Sequence, residues 1–212
     1  MQFYAHSSSS MTREDWQLLE DHLNAVAEMA KEFASVFSST QYGYALGLLH
    51  DLGKYTEEFQ CRLEGGSRVD HATWGALKAK ELYPQMGSLL AYAIAGHHGG
   101  LPNGSPKSGQ TKKDLITRLG VEPSTRLDSQ WKLLQFPEKE KIDIIPPFKV
   151  FQDKASFQFS LWVRMLFSCL VDADHLDTEE HFLSLEGKKR QPANDIPFKQ
   201  LRDTLQLTLS RF

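Results

Sequence analysis

Apolar residues recur along most of the chain at the three- to four-residue spacing of amphipathic helices. The first such segment predicts a helix that Thr12 caps and that runs to about Phe37, with Asp15 in a position resembling a capping box. Within this helix Leu18, His22, Ala25 and Met29 are expected to form one stripe at helical spacing. No stretch of useful length alternates apolar and polar residues, so no β-strand is predicted.

The same spacing continues up to the glycine pair at 99–100, which is typical of a helix stop. Further helices are predicted at 41–55, from Thr56 or Glu57 onwards, from Asp70 to just before Pro84, and at 87–98. Asp70 is a suitable N-cap because its side chain can accept from the free backbone amides of the first turn.

The second half of the chain begins with a loop rich in Gly, Pro, Ser and Asn at 99–110. A polar segment with short helices at best is expected to follow at 111–147. A long helix is predicted at about 153–176, and a last one at 198–211 after a basic, proline-containing stretch at 187–197. Helices without strands predict an all-α fold in one domain.

Composition is that of an ordinary globular protein, with 41% hydrophobic and 24% charged residues. A formal net charge of −3 gives no general basic footprint of nucleic-acid binding. No apolar run is long enough to cross a bilayer, and the N-terminus does not resemble a secretion signal. The two cysteines, Cys61 and Cys169, do not suggest a disulfide framework. We therefore expect a cytoplasmic protein with no membrane partner.

Histidines and aspartates stand at the ends or on the inner faces of several predicted helices. They are His22, the pair His50-Asp51, His71, the pair His97-His98, Asp172 and Asp174. Imidazoles and carboxylates on converging helices could form a mixed nitrogen and oxygen metal site. Each also has an ordinary interpretation, since a histidine can lie at the edge of a core or interact with a helix dipole. His6, His175 and His181 are expected not to be ligands.

The stretch 48–54, which reads Leu-Leu-His-Asp-Leu-Gly-Lys, resembles the signature of the HD superfamily of metal-dependent phosphohydrolases. Its extension to Phe59-Gln60 resembles more narrowly the HD nuclease domain of the CRISPR-associated helicase–nuclease of type I systems. Further similar motifs occur in the family's order at 4–7, 21–23, 70–72, 95–102 and 171–179. The resemblance covers nearly the whole chain except the segment near 103–150.

The resemblance implies an HD-domain helical bundle with a dinuclear metal site. One ion would be held by His22, His50, Asp51 and Asp174, and the second by Asp51, His71, His97 and His98. Asp174 is preferred to Asp172 because the family ligand is followed four residues later by a small hydroxyl residue, here Thr178. Asp51 and Lys54 would be catalytic, with Lys54 on the same helix face as His50. The ions would be divalent, drawn from Mn, Co, Ni, Fe or Mg.

The resemblance further implies an endonuclease and 3′–5′ exonuclease for single-stranded DNA in type I CRISPR antiviral defence. Its partners would be the CRISPR helicase module, fused or separate, and the RNA-guided effector complex. The nuclease domain would span 1–186, and 187–212 would be a linker and helix that pack on it or lead to the helicase. No GxxxxGK[ST] loop occurs, so no ATPase motor is predicted in this chain.

Two alternatives stay open at the level of sequence. An HD phosphohydrolase that acts on nucleotides or cyclic dinucleotides would share the metal site. A non-enzymatic regulatory HD module should have lost ligands, whereas all of those expected are present here.

Overall fold

The computed structural model describes residues 1–8, 12–104, 114–143, 146–190 and 197–210. Helices dominate these residues, as predicted. They are α1 (Leu19–Ser35), α2 (Thr40–Leu49), α3 (Glu57–Leu63), α4 (Ala72–Leu82), α5 (Gly87–Gly96), α6 (Leu115–Leu119), α7 (Lys139–Ile142), α8 (Ala155–Leu185) and α9 (Phe198–Leu209). Single 3-10 segments lie at Arg13–Asp15, Leu52–Lys54, Ser129–Leu133 and Gln152–Lys154. In the part of the chain described, no helix is long and apolar enough to span a bilayer.

The bundle consists of two groups of helices. Helix α1 packs along α2 and α8, and α4 packs along α5, which also touches α8. Glycine lets α1 and α2 approach closely, because a Cβ at Gly47 would lie 2.3 Å from the Cα of Ala27. This close packing brings His22 of α1 beside His50 at the end of α2, with ring centroids 5.3 Å apart.

The prediction for the first helix was wrong at its start. Residues Gln17–Leu18 form a strand that pairs antiparallel with Tyr4–His6, and α1 begins only at Leu19. The amide of Leu19 donates to the carbonyl of Phe3 at 2.9 Å, so this backbone bonds to a distant segment instead of to a preceding helical turn. The expectation of no strand was also wrong, since strands of two and three residues are too short to show alternation.

The second helix ends earlier than predicted, at Leu49 instead of residue 55. His50 and Asp51 follow it, and the chain then tightens into the 3-10 turn Leu52–Lys54. The amide of Gly53 donates to the carbonyl of His71 at 3.0 Å, and a Cβ at Gly53 would lie 2.2 Å from that oxygen. The turn thus binds the start of α4 closely, and Lys54 does not continue the helix face that carries His50.

The side chains of Thr56 and Asp70 each cap a helix, and of these two caps only that of Asp70 was predicted. Thr56 caps α3, since its Oγ1 accepts from the amide of Phe59 at 3.3 Å. Asp70 caps α4, since its Oδ1 accepts from the amides of Ala72 at 3.1 Å and Thr73 at 3.2 Å. The last apolar helix before the glycine pair ends at Gly96, two residues earlier than predicted.

The long helix α8 extends nine residues beyond its predicted end, to Leu185. Its inner face is formed by Trp162, Leu166, Leu170, Ala173 and Asp174, whereas Phe157, Leu161 and Met165 are exposed. The segment predicted as polar contributes to the same core through Leu115, Trp131, Leu134 and Ile142. Parts of the predicted loop and linker, at 105–113 and 191–196, lie outside the described residues. The division of the chain at residue 186 stays a prediction.

Candidate metal centre

The structure brings the seven predicted ligands together, although they come from five different helices or helix ends. Helix α1 carries His22, the end of α2 carries His50 and Asp51, and α8 carries Asp174. The start of α4 and the end of α5 supply the remaining three. The ligand atoms form two groups that could each hold a metal ion, with all atoms of a group within 4.8 Å of one another: His22, His50, Asp51 and Asp174, and Asp51, His71, His97 and His98.

Asp51 belongs to both groups and divides its carboxylate between them. Its Oδ2 lies 3.5 Å from Nε2 of His22 and 3.3 Å from Nε2 of His50. Its Oδ1 lies 3.4 Å from Nε2 of His71 and 3.3 Å from Nε2 of His97. The side chain is fully buried, at 0% exposure. A carboxylate has two oxygens and can therefore face two cations, which an imidazole cannot do in this way.

Three of the histidines are fixed in one orientation by bonds at Nδ1. His22 faces Oδ2 of Asp177 at 2.6 Å, His50 the carbonyl of Gly47 at 2.7 Å, and His97 the carbonyl of Ile94 at 2.6 Å. Each acceptor requires a proton on Nδ1, so the Nε2 lone pair of a neutral ring is free to bind a metal. These three Nε2 atoms are buried and lack a hydrogen-bond partner among the described residues. Such a donor set fits a divalent cation.

Lys54 is buried against Asp51, with Nζ 2.6 Å from Oδ2 and donating to the carbonyl of Ala5 at 3.1 Å. Burial alone would raise the pKa of Asp51, but the charges of Lys54 and His50 outweigh it and hold this pKa well below its usual range. Asp51 is thus a carboxylate, as a metal ligand must be.

The first group combines two carboxylates with a strongly basic histidine. Burial would lower the pKa of His50, but Asp51 and Asp174 more than offset it and raise this pKa to about 10. Burial would likewise raise the pKa of Asp174, but the neighbouring His50, whose Nε2 lies 3.7 Å from Oδ1, more than offsets this effect and lowers it. Oδ1 of Asp174 lies 3.4 Å from Nε2 of His22, whereas Asp172 is exposed. The geometry therefore places Asp174, and not Asp172, with the other ligand atoms.

In the second group, the Nε2 atoms of His71 and His98 face each other at 2.7 Å. Burial lowers the pKa of His71 to about 4 and that of His98 to about 3. Both rings are therefore neutral near pH 7, which is the state that binds a metal. The edge of Phe59 packs against His71, with ring centroids 5.0 Å apart.

Asp177 was not predicted from the sequence. Its Oδ2 lies 2.6 Å from Nδ1 of His22 and accepts from Nε2 of Gln17, also at 2.6 Å. The spacing of three residues between Asp174 and Asp177 places both on one helix face, and this signal could have found it. His6, expected not to be a ligand, lies outside both groups, although its ring is 5.1 Å from that of His22. Burial lowers the pKa of His6 to about 3.

A comparison with family models matches the HD domain to residues 19–129, just over half of the chain. The match includes His22, the pair His50-Asp51, His71 and the pair His97-His98, whereas Asp174 and Asp177 lie beyond it on α8. No curated protein matches the chain. The matched family model and the two ligand groups lead to the same conclusion: the chain belongs to the HD domain family, whose members are generally metal-dependent hydrolases.

Proposed function

We propose that the protein is a metal-dependent nuclease that hydrolyses phosphodiester bonds of single-stranded DNA, as an endonuclease and a 3′–5′ exonuclease. The observation that carries the proposal is the division of the Asp51 carboxylate, with one oxygen toward each ligand group. Such an arrangement suits a pair of divalent ions, which is a common solution for phosphodiester hydrolysis. Mixed histidine and aspartate ligands favour Mn, Co, Ni or Fe over Mg.

The residues of the chain would prepare the reaction by their fixed orientation. When bound, the ions would supply a water of lowered pKa as nucleophile and neutralise charge on the reacting phosphate. His22, His50 and His97 would hold them without reorienting, because their Nδ1 atoms already have partners. Lys54 reaches from Asp51 to the wall of the adjacent cleft, where its ammonium group would contact a phosphate oxygen or orient a water.

The assignment to type I CRISPR defence is supported by the sequence motifs around 55–60, 95–102 and 171–179. In that role the nuclease would receive single-stranded DNA from the helicase module after recognition by the RNA-guided effector complex, in the cytoplasm. The alternative is an HD phosphohydrolase acting on nucleotides or cyclic dinucleotides, which would use the same ligand groups. Retention of the full ligand set argues against a purely regulatory module.

The test compares substrates on one preparation stripped with chelator and then supplied with Mn²⁺ or Co²⁺. We expect nicking and then degradation of circular single-stranded DNA, little cutting of blunt duplex, and weak turnover of nucleotides and cyclic dinucleotides. Fast turnover of nucleotides without DNA cleavage would establish the alternative. Cleavage that continues unchanged in chelator would contradict the metal mechanism. For the CRISPR role, we expect co-elution with a type I helicase module in gel filtration, and separate elution would contradict it.

A further inference from the structure

A cleft of about 520 Å³ opens beside the second ligand group. Its walls include Lys54, Phe59, Arg62, Arg68, His71 and His98. Among the described residues, no aspartate or glutamate lines it. A protein of net charge −3 therefore places three cationic side chains around the approach to its candidate metal centre.

Arg62 is held in place at this wall by an aromatic ring. Its guanidinium carbon lies 5.3 Å from the ring centroid of Phe59, and the same ring packs edge-on against His71. Stacking on an aromatic face fixes the plane of a guanidinium group while leaving its donors free. Arg62 and the candidate ligand His71 thus contact the same ring of Phe59 and line the same cleft, and the donors of Arg62 are available.

Neither arginine of the cleft has a carboxylate partner within the described residues. Arg13, by contrast, pairs with Glu64, and Arg118 pairs with Asp70. Arg68 is exposed and Arg62 half-buried. Both arginines line one cleft, and a guanidinium group without a carboxylate partner can bind phosphate through two hydrogen bonds at once.

We propose that Arg62 and Arg68 form a clamp for the backbone phosphates that flank the bond being cleaved. The clamp would make a polynucleotide, rather than a free nucleotide, the preferred ligand of the cleft. The inference rests on the proposed function, since it deepens the assignment of the same site to DNA. The negative net charge of the chain is compatible with DNA binding, because only the cleft needs to be positive.

Binding is measured first, with the full chain in chelator, so that no cleavage occurs. The probe is a fluorescent oligothymidylate of about 20 nucleotides, longer than a typical single-strand site, with thymidine monophosphate as competitor. We expect each of R62Q and R68Q to weaken binding about tenfold, as expected for removal of a charge-assisted hydrogen bond. The slope of log affinity against log salt should flatten by about 0.7 for each phosphate that no longer has a cationic partner. R164Q, which changes an exposed arginine of α8 outside this cleft, is the matched control.

Turnover measured in Mn²⁺ then distinguishes an effect of the arginines on substrate binding from an effect on hydrolysis at the metal centre. For the oligonucleotide, the double variant R62Q/R68Q should raise KM and leave kcat nearly unchanged. For bis(4-nitrophenyl) phosphate, a diester without neighbouring phosphates, both constants should stay as in the wild type. Circular dichroism checks that each variant folds.

The clamp is overturned if the double variant binds the oligonucleotide with wild-type affinity and salt slope. It is also overturned if both substrates lose turnover equally, because the arginines would then act on the centre itself. If binding depends on the two arginines but the wild type cleaves no diester, the clamp stands and the proposed function fails.

Discussion

Oδ2 of Asp177 lies 2.6 Å from Nδ1 of His22, and the two residues are 155 positions apart in the chain. The contact joins α8 to α1 and fixes the ring orientation in which Nε2 of His22 faces Asp51. Asp177 is thus a positioning residue for the first ligand group.

Replacing Asp177 by Asn should therefore weaken metal binding without removing a ligand. The loss of such an outer partner typically costs about 10- to 100-fold in metal affinity or activity. Titration calorimetry with Mn²⁺ measures the effect, and D172N, at an exposed position of the same helix, is the control. Equal affinities of D177N and D172N would show that Asp177 does not orient His22.

Asp51 and Lys54 form a buried ion pair, so their variants should separate stability from metal binding. D51N should abolish binding at both groups and also destabilise the fold, because it leaves the Lys54 charge without its partner. Breaking a buried pair from one side costs about 3–5 kcal/mol. The double variant D51N/K54M should regain much of this stability in urea unfolding and still bind no metal.

The matched comparison for D51N is D174N, which should lose ligation mainly in the first group and retain the second. Metal stoichiometry, measured on folded protein, distinguishes the two variants. If D51N keeps full metal content, or if D172N rather than D174N loses an ion, the ligand assignment is wrong.

Metal binding to the first group should depend on pH through His50. Without metal, the raised pKa of about 10 keeps this imidazole protonated at neutral pH. A metal must displace that proton, so apparent affinity should rise with pH, by about tenfold per unit at most for one proton released. Calorimetry in buffers of different ionisation enthalpy counts the proton. An affinity that stays constant between about pH 6 and pH 8 would contradict the assignment.

The two cysteines should differ sharply in reactivity. Cys61 is exposed, whereas Cys169 is buried on α8, where burial raises the pKa of its thiol to about 11. The thiolate is the reactive form, so a thiol reagent near pH 8 should label one site quickly on the folded protein. Mass spectrometry of C61S should show almost no labelling until denaturant is added. Rapid labelling of native C61S would mean that α8 does not pack as described.

The sequence predicted most of the helices and the residues that converge on the centre, because their motifs are short and local. His50 and Asp51, for example, are recognisable from the seven-residue motif at 48–54 that contains them. What escaped prediction depends on contacts between distant segments. The strand at Gln17–Leu18 forms by pairing with Tyr4–His6, and the orientation of His22 depends on Asp177.

The positive charge of the cleft could not be predicted from the sequence either. Arg62 and Arg68 are two of 24 basic residues in a chain of negative net charge, and nothing in their spacing distinguishes them. The contact of Arg62 with Phe59 is local to α3, but the packing of Phe59 on His71, which brings both to the cleft, joins separate segments and no local pattern reveals it.

The two ligand groups draw on different parts of the bundle. The first uses α1, the end of α2 and α8, whereas the second uses the ends of α4 and α5, and Asp51 is common to both. Ions bound on either side of this one carboxylate would cross-link the α4–α5 pair to the rest of the fold through Asp51. Filling the second group should then suppress local opening of α4 and α5, so amide hydrogen exchange there becomes a direct gauge of metal occupancy.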